Sequence, residues 1–496
     1  MGLTSLQSQV TSGIAWSGAA RILQQITQFG VSVLMARLLS PDNYGLMAMV
    51  MVFIGFAGTL ADAGFSTALV QKQDLDEVDV HTIFWVTLGS SVLLTGATYV
   101  LAPWLAAFYH VPSLSTIFRI ISINFIIGGI GNVPSALLQK RMEFQTIAKI
   151  DTVAMLFSGI LSVALALAGG GVWSLVAQMI ASTLIASILR CWTCRWLPKT
   201  TWSWPALKNI WGFSGHLYAY NFMNYWSRNA DNLVVGRFFG ASELGAYNRA
   251  YSLMILPISQ INGVIAQVIF PAFSNIGNDK DRVKRIYLRA IGIVALLGFP
   301  LMIGLLVVAE PFILTIYGNK WTAVIVLLQI LATVGILQIV GNSTGWLFLS
   351  QGRTDLLFGW GIAYSVAAVL SFLAGTYLGS VKAVALCYAF VNVLFFYPEL
   401  DAATRTVGLR GMKVISTITG PLLSSLLMGA VVTLVRIALP ADWASWKRLT
   451  TLSLLGAVLY FTLVILFRLS SWHDLLKVIR EKFYGGNSEI ESEPIT

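Results

Sequence analysis

The chain has 496 residues, 56% of them hydrophobic and 11% charged, with a formal net charge of +10. A soluble protein carries about 25% charged residues, and a chain this apolar has too little polar surface to cover a water-exposed fold. Its apolar residues fall in runs of roughly 20 to 27, each enough to cross about 30 Å of hydrocarbon, which makes the chain an all-α polytopic membrane protein.

Fourteen transmembrane helices are expected. The first spans 14–38. No Lys or Arg precedes it, it is too long for the apolar core of a signal peptide, and it has no A-x-A exit, so it is expected to stay in the membrane. The next five spans fall at 44–70, 80–106, 114–138, 146–169 and 172–193. Turn residues mark the breaks, as in Ser40-Pro41-Asp42-Asn43 and Gly169-Gly170-Gly171. The longest internal break, 194–210, carries Arg195, Pro198, Lys199, Trp202, Trp204, Pro205 and Lys208, with its tryptophans expected at headgroup level. Six further spans follow at 211–237, 244–272, 286–309, 323–349, 356–378 and 382–400, then two more at 412–438 and 447–467. The expected organisation is thus a six-helix lobe (1–193), a linker (194–210), a second six-helix lobe (211–400), two added helices (401–468) and a tail (469–496).

The tail opens with an amphipathic stretch. Trp472, Leu475, Leu476, Ile479 and Phe483 share one face, which predicts a helix lying on the membrane surface. The acidic remainder, with Glu489, Glu491 and Glu493, has the composition of a disordered segment.

Lys and Arg set the expected orientation. With the N-terminus inside, 21 of the 32 basic residues lie on inward loops and span ends, and 7 on outward ones. That excess predicts both termini in the cytoplasm. The basic residues are scattered over many loops rather than gathered on one element, which argues against nucleic acid as a partner.

The two halves look related. Arg37 to Gly45 closes span one and opens span two; Arg237 to Gly245 does the same for spans seven and eight, at an offset of 200. At the same offset Asp62-Ala63-Gly64 faces Asn262-Gly263-Val264. Repeats that start after six spans enter from the same side, which predicts parallel repeats about an axis along the membrane normal.

Catalytic signatures are missing. The sequence has no Walker A loop, no Rossmann fingerprint and no HExxH, and His81, His110, His216 and His473 are scattered. Cys191, Cys194 and Cys387 give no disulfide framework, and the Cys191–Cys194 pair sits at the end of an apolar helix, where it reads as ordinary small residues. No cofactor is expected. Any movement of a solute by this chain must draw on an ion gradient, H+ or Na+, or on the solute's own gradient.

Charges inside the spans are the candidate site. An ionisable residue in a span faces a cavity or a partner, because facing lipid costs several kcal/mol. Six residues qualify: Arg21, Asp62, Arg119, Arg228, Asp231 and Arg249. One reading makes two structural ion pairs, Arg21–Asp62 and Asp231–Arg249. The other is a water-filled cavity with surplus positive charge, where Arg21, Arg119, Arg228 and Arg249 bind an anionic cargo such as a pyrophosphate or an acidic sugar. Asp62 is also a candidate for ion coupling, and its counterpart is Asn262. Pro257 and Pro300 are hinge candidates, since a proline inside a span removes a backbone hydrogen bond.

Several segments together resemble the polysaccharide transporters of the MOP flippase superfamily, in particular the colanic-acid-exporter-like branch. They include Ala36-Arg-Leu-Leu-Ser-Pro41 with Tyr44-Gly45, Asp62-Ala-Gly-Phe-Ser-Thr-Ala-Leu-Val-Gln71, Gln139-Lys-Arg-Met-Glu-Phe144, Arg228-Asn-Ala-Asp-Asn232, Gly236-Arg-Phe-Phe-Gly240 and Gly318-Asn-Lys-Trp321. The resemblance covers about residues 5–470. It implies two six-helix lobes around a central cavity, with two extra C-terminal helices. It also implies alternating access in a bacterial cytoplasmic membrane and an undecaprenyl-diphosphate-linked oligosaccharide as cargo, for exopolysaccharide or O-antigen synthesis. A pathway polymerase and glycosyltransferases are expected neighbours. The rivals are a peptidoglycan-precursor flippase, a multidrug antiporter, which predicts an acid-rich cavity, and a polysaccharide polymerase or ligase, which needs a large outward loop.

Overall fold

The computed structural model describes residues 24–62, 69, 76–276, 279–440 and 442–484. Helix α1 runs over 24–38, followed by α2 (Pro41–Asp62), α3 (Glu77–Tyr109), α4 (Leu114–Lys140), α5 (Phe144–Leu167), α6 (Val172–Cys194) and α7 (Trp204–Ile276). Then come α8 (Lys280–Ile316), α9 (Thr322–Gly341), α10 (Thr344–Ser350), α11 (Thr354–Tyr377), α12 (Val381–Arg405), α13 (Gly411–Ala438), α14 (Ser445–Leu466) and α15 (Ser470–Tyr484). Among the described residues, 11 spans are long and apolar enough to cross a membrane. The other three expected spans fall on α1, where residues 14–23 of the expected span lie outside the described residues, and on α7, where many side chains do. The protein is a multi-pass, all-helical membrane protein.

Side-chain placement follows from lipid as solvent. Leu93, Val100, Ile160, Leu370, Leu434 and Leu454 are each more than half exposed, on faces that lipid would cover. Serines fill contacts between helices instead, because small residues let backbones approach. Ser91 and Ser425 are fully buried, and their hydroxyls return to carbonyls of their own helices, on Thr87 at 2.8 Å and Pro421 at 2.7 Å. This is how a hydroxyl is satisfied where no water reaches. Thr95 of α3 also donates to the Ser122 carbonyl of α4, at 2.9 Å.

The chain forms two compact units, Met1–Asn248 and Arg249–Thr496. Residues 211–248, expected with the second lobe, thus pack with the first unit.

In the first unit, α4 is the central element, packed against α2, α3 and α6, and α5 packs on α6. The segment joining α6 to α7 is tied to the start of α3. Lys199 donates its backbone N–H to His81 Nδ1 at 3.2 Å, Trp85 Nε1 donates to the Lys199 carbonyl at 2.9 Å, and Ser203 N–H donates to Thr82 Oγ1 at 3.0 Å. Trp196 stacks on buried His81 at 5.1 Å between ring centroids, whereas Trp202 and Trp204 are exposed.

Gly240 breaks α7 with a φ of 83°. Beyond the break, the chain crosses the start of α2 at a contact that only glycine permits. A Cβ on Gly45 would strike the Ala241 carbonyl, and one on Gly245 would strike the Pro41 carbonyl. The offset of 200 carries Pro41 onto Ala241 and Gly45 onto Gly245. The contact is therefore reciprocal: each glycine packs on the carbonyl four residues before the other.

In the second unit, α8 is the centre. Helices α9, α13, α14 and α15 all pack on it. Leu296, Ile303 and Val307 of α8, Met428 and Val432 of α13, and Leu452, Tyr460 and Val464 of α14 form one apolar cluster, and Tyr460 donates to the Leu296 carbonyl at 2.7 Å. Three local features differ from the expected spans. Helix α8 starts at Lys280, before the apolar run, because its first turns are good helix formers capped by Asp279, whose Oδ1 accepts from Arg282 N–H at 3.0 Å. The span expected at 323–349 is broken between α9 and α10 at Asn342 and Ser343, where the Ser343 hydroxyl sits 2.8 Å from that of Tyr287. Helix α15 turns Trp472 and Leu475 onto the α8/α13/α14 cluster and pairs Asp474 with Arg289 at 3.0 Å, leaving Leu476 and Val478 exposed. Part of the apolar face expected on the membrane surface therefore docks on protein.

Candidate transport site

The predicted intramembrane charges take different settings. Arg21 lies outside the described residues, as does the side chain of Asp62 at the end of α2, so the expected Arg21–Asp62 pair lies outside them too. Arg119, one turn into α4, holds its guanidinium 5.0 Å from the ring centre of Tyr99 on α3. Its Nε is buried without a hydrogen-bond partner. Cation–π contact of this kind holds a guanidinium without neutralising it. Arg228 is exposed on α7. Asp231, one turn further on, is buried and accepts from the Tyr247 hydroxyl at 3.2 Å, across the Gly240 break. Asn248 donates to Asn232 at 3.3 Å beside it, so two polar contacts join the arms of α7.

Arg249 opens the second unit. Its guanidinium lies over the rings of Tyr317 and Trp321, at 5.2 and 5.6 Å. Trp321 is fully buried and follows Gly318, whose φ of 88° turns the chain out of α8. This gives a physical role to the Gly318-Asn-Lys-Trp321 segment, which builds the aromatic seat under Arg249. Pro257 and Pro300 lie inside the continuous stretches of α7 and α8.

Two further polar groupings were not singled out from the sequence. The first unit carries an open cleft of about 480 Å³ between α1, α4, α5 and α6. Asp151 of α5 and Arg190 of α6 meet in its wall at 2.7 Å. Both lie just inside the ends of the expected spans 146–169 and 172–193, where a charge reads as belonging to the interface. The signal was their register: Asp151 lies 19 residues before Gly170 and Arg190 lies 20 after it (170 − 151 and 190 − 170), so the hairpin brings them to one depth. In the second unit Gln338 of α9 donates to the Tyr388 hydroxyl at 2.9 Å and to Asn392 Oδ1 at 3.2 Å, both on α12, and Tyr364 of α11 donates to the same Oδ1 at 3.1 Å. On the same helix, α12, Glu399 accepts from the Thr344 hydroxyl of α10 at 2.8 Å.

A family model described as polysaccharide biosynthesis protein matches residues 34–326, more than half of the chain. The chain belongs to this polysaccharide biosynthesis family. The teichuronic acid biosynthesis protein TuaB of Bacillus subtilis is 31% identical over 79% of this chain and 82% of its own length. The lipopolysaccharide biosynthesis protein WzxC of Escherichia coli is 27% identical over 79% and 80%. The succinoglycan biosynthesis transport protein ExoT of Rhizobium meliloti is 26% identical over 95% and 96%. Among solved structures, the lipid II flippase MurJ matches with a TM-score of 0.72 at 14% identity, covering 92% of this chain and 99% of MurJ. An inward-facing multidrug resistance MATE family transporter of the MOP superfamily matches with a TM-score of 0.58 at 14% identity, over 82% and 94%. This family member therefore shares its fold with MurJ and with that MATE transporter.

Proposed function

We propose that the protein moves an undecaprenyl-diphosphate-linked oligosaccharide repeat unit across the bacterial cytoplasmic membrane by alternating access, for exopolysaccharide or O-antigen synthesis. The observation that carries this reading is a full-length MOP fold whose spans retain guanidinium groups. Arg119 keeps a buried donor without a partner. A charge held inside a span is costly unless it serves a cavity or a ligand, and guanidinium is the natural fork for phosphate oxygens. The names of WzxC and ExoT, and the lipid II flippase among the structural neighbours, support the same reading.

In this reading Arg21, Arg119, Arg228 and Arg249 serve the anionic part of the cargo. Both termini lie in the cytoplasm. Asp62, Asp231 and Glu399 are the carboxylates available for H+ or Na+ coupling. A polymerase and glycosyltransferases act on the cargo before and after the crossing, and the protein itself is a transporter rather than an enzyme.

The test is the fate of the lipid-linked sugar in a strain lacking the gene. It should collect on the cytoplasmic leaflet and clear when the gene is restored. Normal delivery to the outer leaflet without polymerisation would point to a polymerase or ligase instead.

A further inference from the structure

The 480 Å³ cavity of the first unit is of the size that binds small molecules, about 300–1,000 Å³. It lies among membrane-spanning helices, yet most of its wall is polar. Gln24, Gln28 and Asn132 contribute amides; Ser182, Thr183 and Ser187 contribute hydroxyls. A polar cleft that opens among helices is filled by water or by a ligand. Arg190 marks where a ligand group would go. One guanidinium nitrogen is engaged by Asp151, while Nε is buried without a partner.

Charge selects the ligand class. Asp151 and Arg190 cancel, so this wall has no net attraction for an anion, unlike the cationic residues assigned to the diphosphate. The guanidinium beside Asp151 also repels a second cation, which argues against a coupling-ion site. What remains is a wall of mixed donors and acceptors: a carboxylate that only accepts, a guanidinium that only donates, and amides and hydroxyls that do both. Sugar hydroxyls both donate and accept, and they match such a wall group for group.

We propose that the cavity between α1, α4, α5 and α6 is a recognition subsite for neutral sugar residues of the cargo, separate from the groups that handle its diphosphate. The assignment rests on the transporter reading above. It makes the first unit the part of the molecule that tells one repeat unit from another.

The experiment has two arms. In the deletion strain, the wild-type gene must first restore polymer export; if it does not, the transporter reading fails whatever the cavity does. Given that rescue, Ser182→Leu and Thr183→Leu, which fill the cavity without touching the ion pair, should reduce export at least tenfold at unchanged membrane abundance. Gln28→Ala, at an exposed edge of the cavity, guards against misfolding of the filled variants and should reduce export several-fold. Normal export in all three overturns the subsite. In the second arm, the purified full-length protein in lipid nanodiscs is given the water-soluble oligosaccharide that mild acid releases from the accumulated lipid intermediate, or inorganic pyrophosphate, or sodium. Hydrogen exchange around 151–155 and 182–190 should slow with the oligosaccharide alone. Slowing with pyrophosphate or sodium instead, or with none of the three, overturns the assignment.

Discussion

Gly45 and Gly245 leave no room for a side chain, because each faces a backbone carbonyl that cannot rotate away. Alanine at either position should cost about 1–3 kcal/mol or more through overpacking, read as a lower melting temperature in detergent. Gly58 is the control: a Cβ there meets nothing within 4 Å, so Gly58→Ala should cost nothing. Equal stability of all three variants would remove the reciprocal contact. Arg119 differs in kind, since its role is chemical. Neutralising Arg119 and Arg228 together should reduce export by about tenfold or more, about 1.4 kcal/mol on the transition state, with folded protein still in the membrane. Arg119→Lys, which retains a cation over Tyr99, should retain more activity than Arg119→Ala. Coupling belongs to the carboxylates: if one of them carries the ion, Asp62→Asn or Glu399→Gln should abolish ion-dependent uptake, and unchanged dependence in both would leave them structural.

Helices show why some features were legible in the sequence and others were not. Span positions could be read because each apolar run must satisfy its own backbone, and the helices of 114–138 and 172–193 differ from expectation by at most two residues at either end. Helix α8 begins before the expected span because hydropathy stops at Lys284 and Arg285, whereas helix formation does not. The break at Asn342 was hidden because both sides of it are apolar. The Asp151–Arg190 pair is hidden for a different reason: each lies just inside a span end, and only the register of the α5/α6 hairpin brings them together. The docking of α15 required knowing that α8, α13 and α14 present a common apolar face. That docking is itself testable. Removing residues 470–496 should lower the melting temperature and speed hydrogen exchange in α8 and α14. Asp474→Asn alone should change stability by less than about 1 kcal/mol, since its partner Arg289 is half exposed.

On the scale of the whole molecule, composition gave the membrane, periodic runs gave the fold class, and the repeat at an offset of 200 is matched by a reciprocal contact at Gly45 and Gly245. The distribution of Lys and Arg makes a prediction about sidedness. A phosphatase reporter fused after Met142, between α4 and α5, should be inactive, and one fused after Pro112, between α3 and α4, should be active. The reverse pattern would invert the molecule. Movement of a lipid-linked sugar can be followed with purified protein in liposomes that contain a fluorescent undecaprenyl-diphosphate oligosaccharide. Sidedness is read by access of a soluble lectin or quencher. Protein-dependent loss of the inner pool is expected, slowed in the Arg119/Arg228 double variant. An inner pool that stays put at the rate of protein-free liposomes, under both H+ and Na+ gradients, would contradict it.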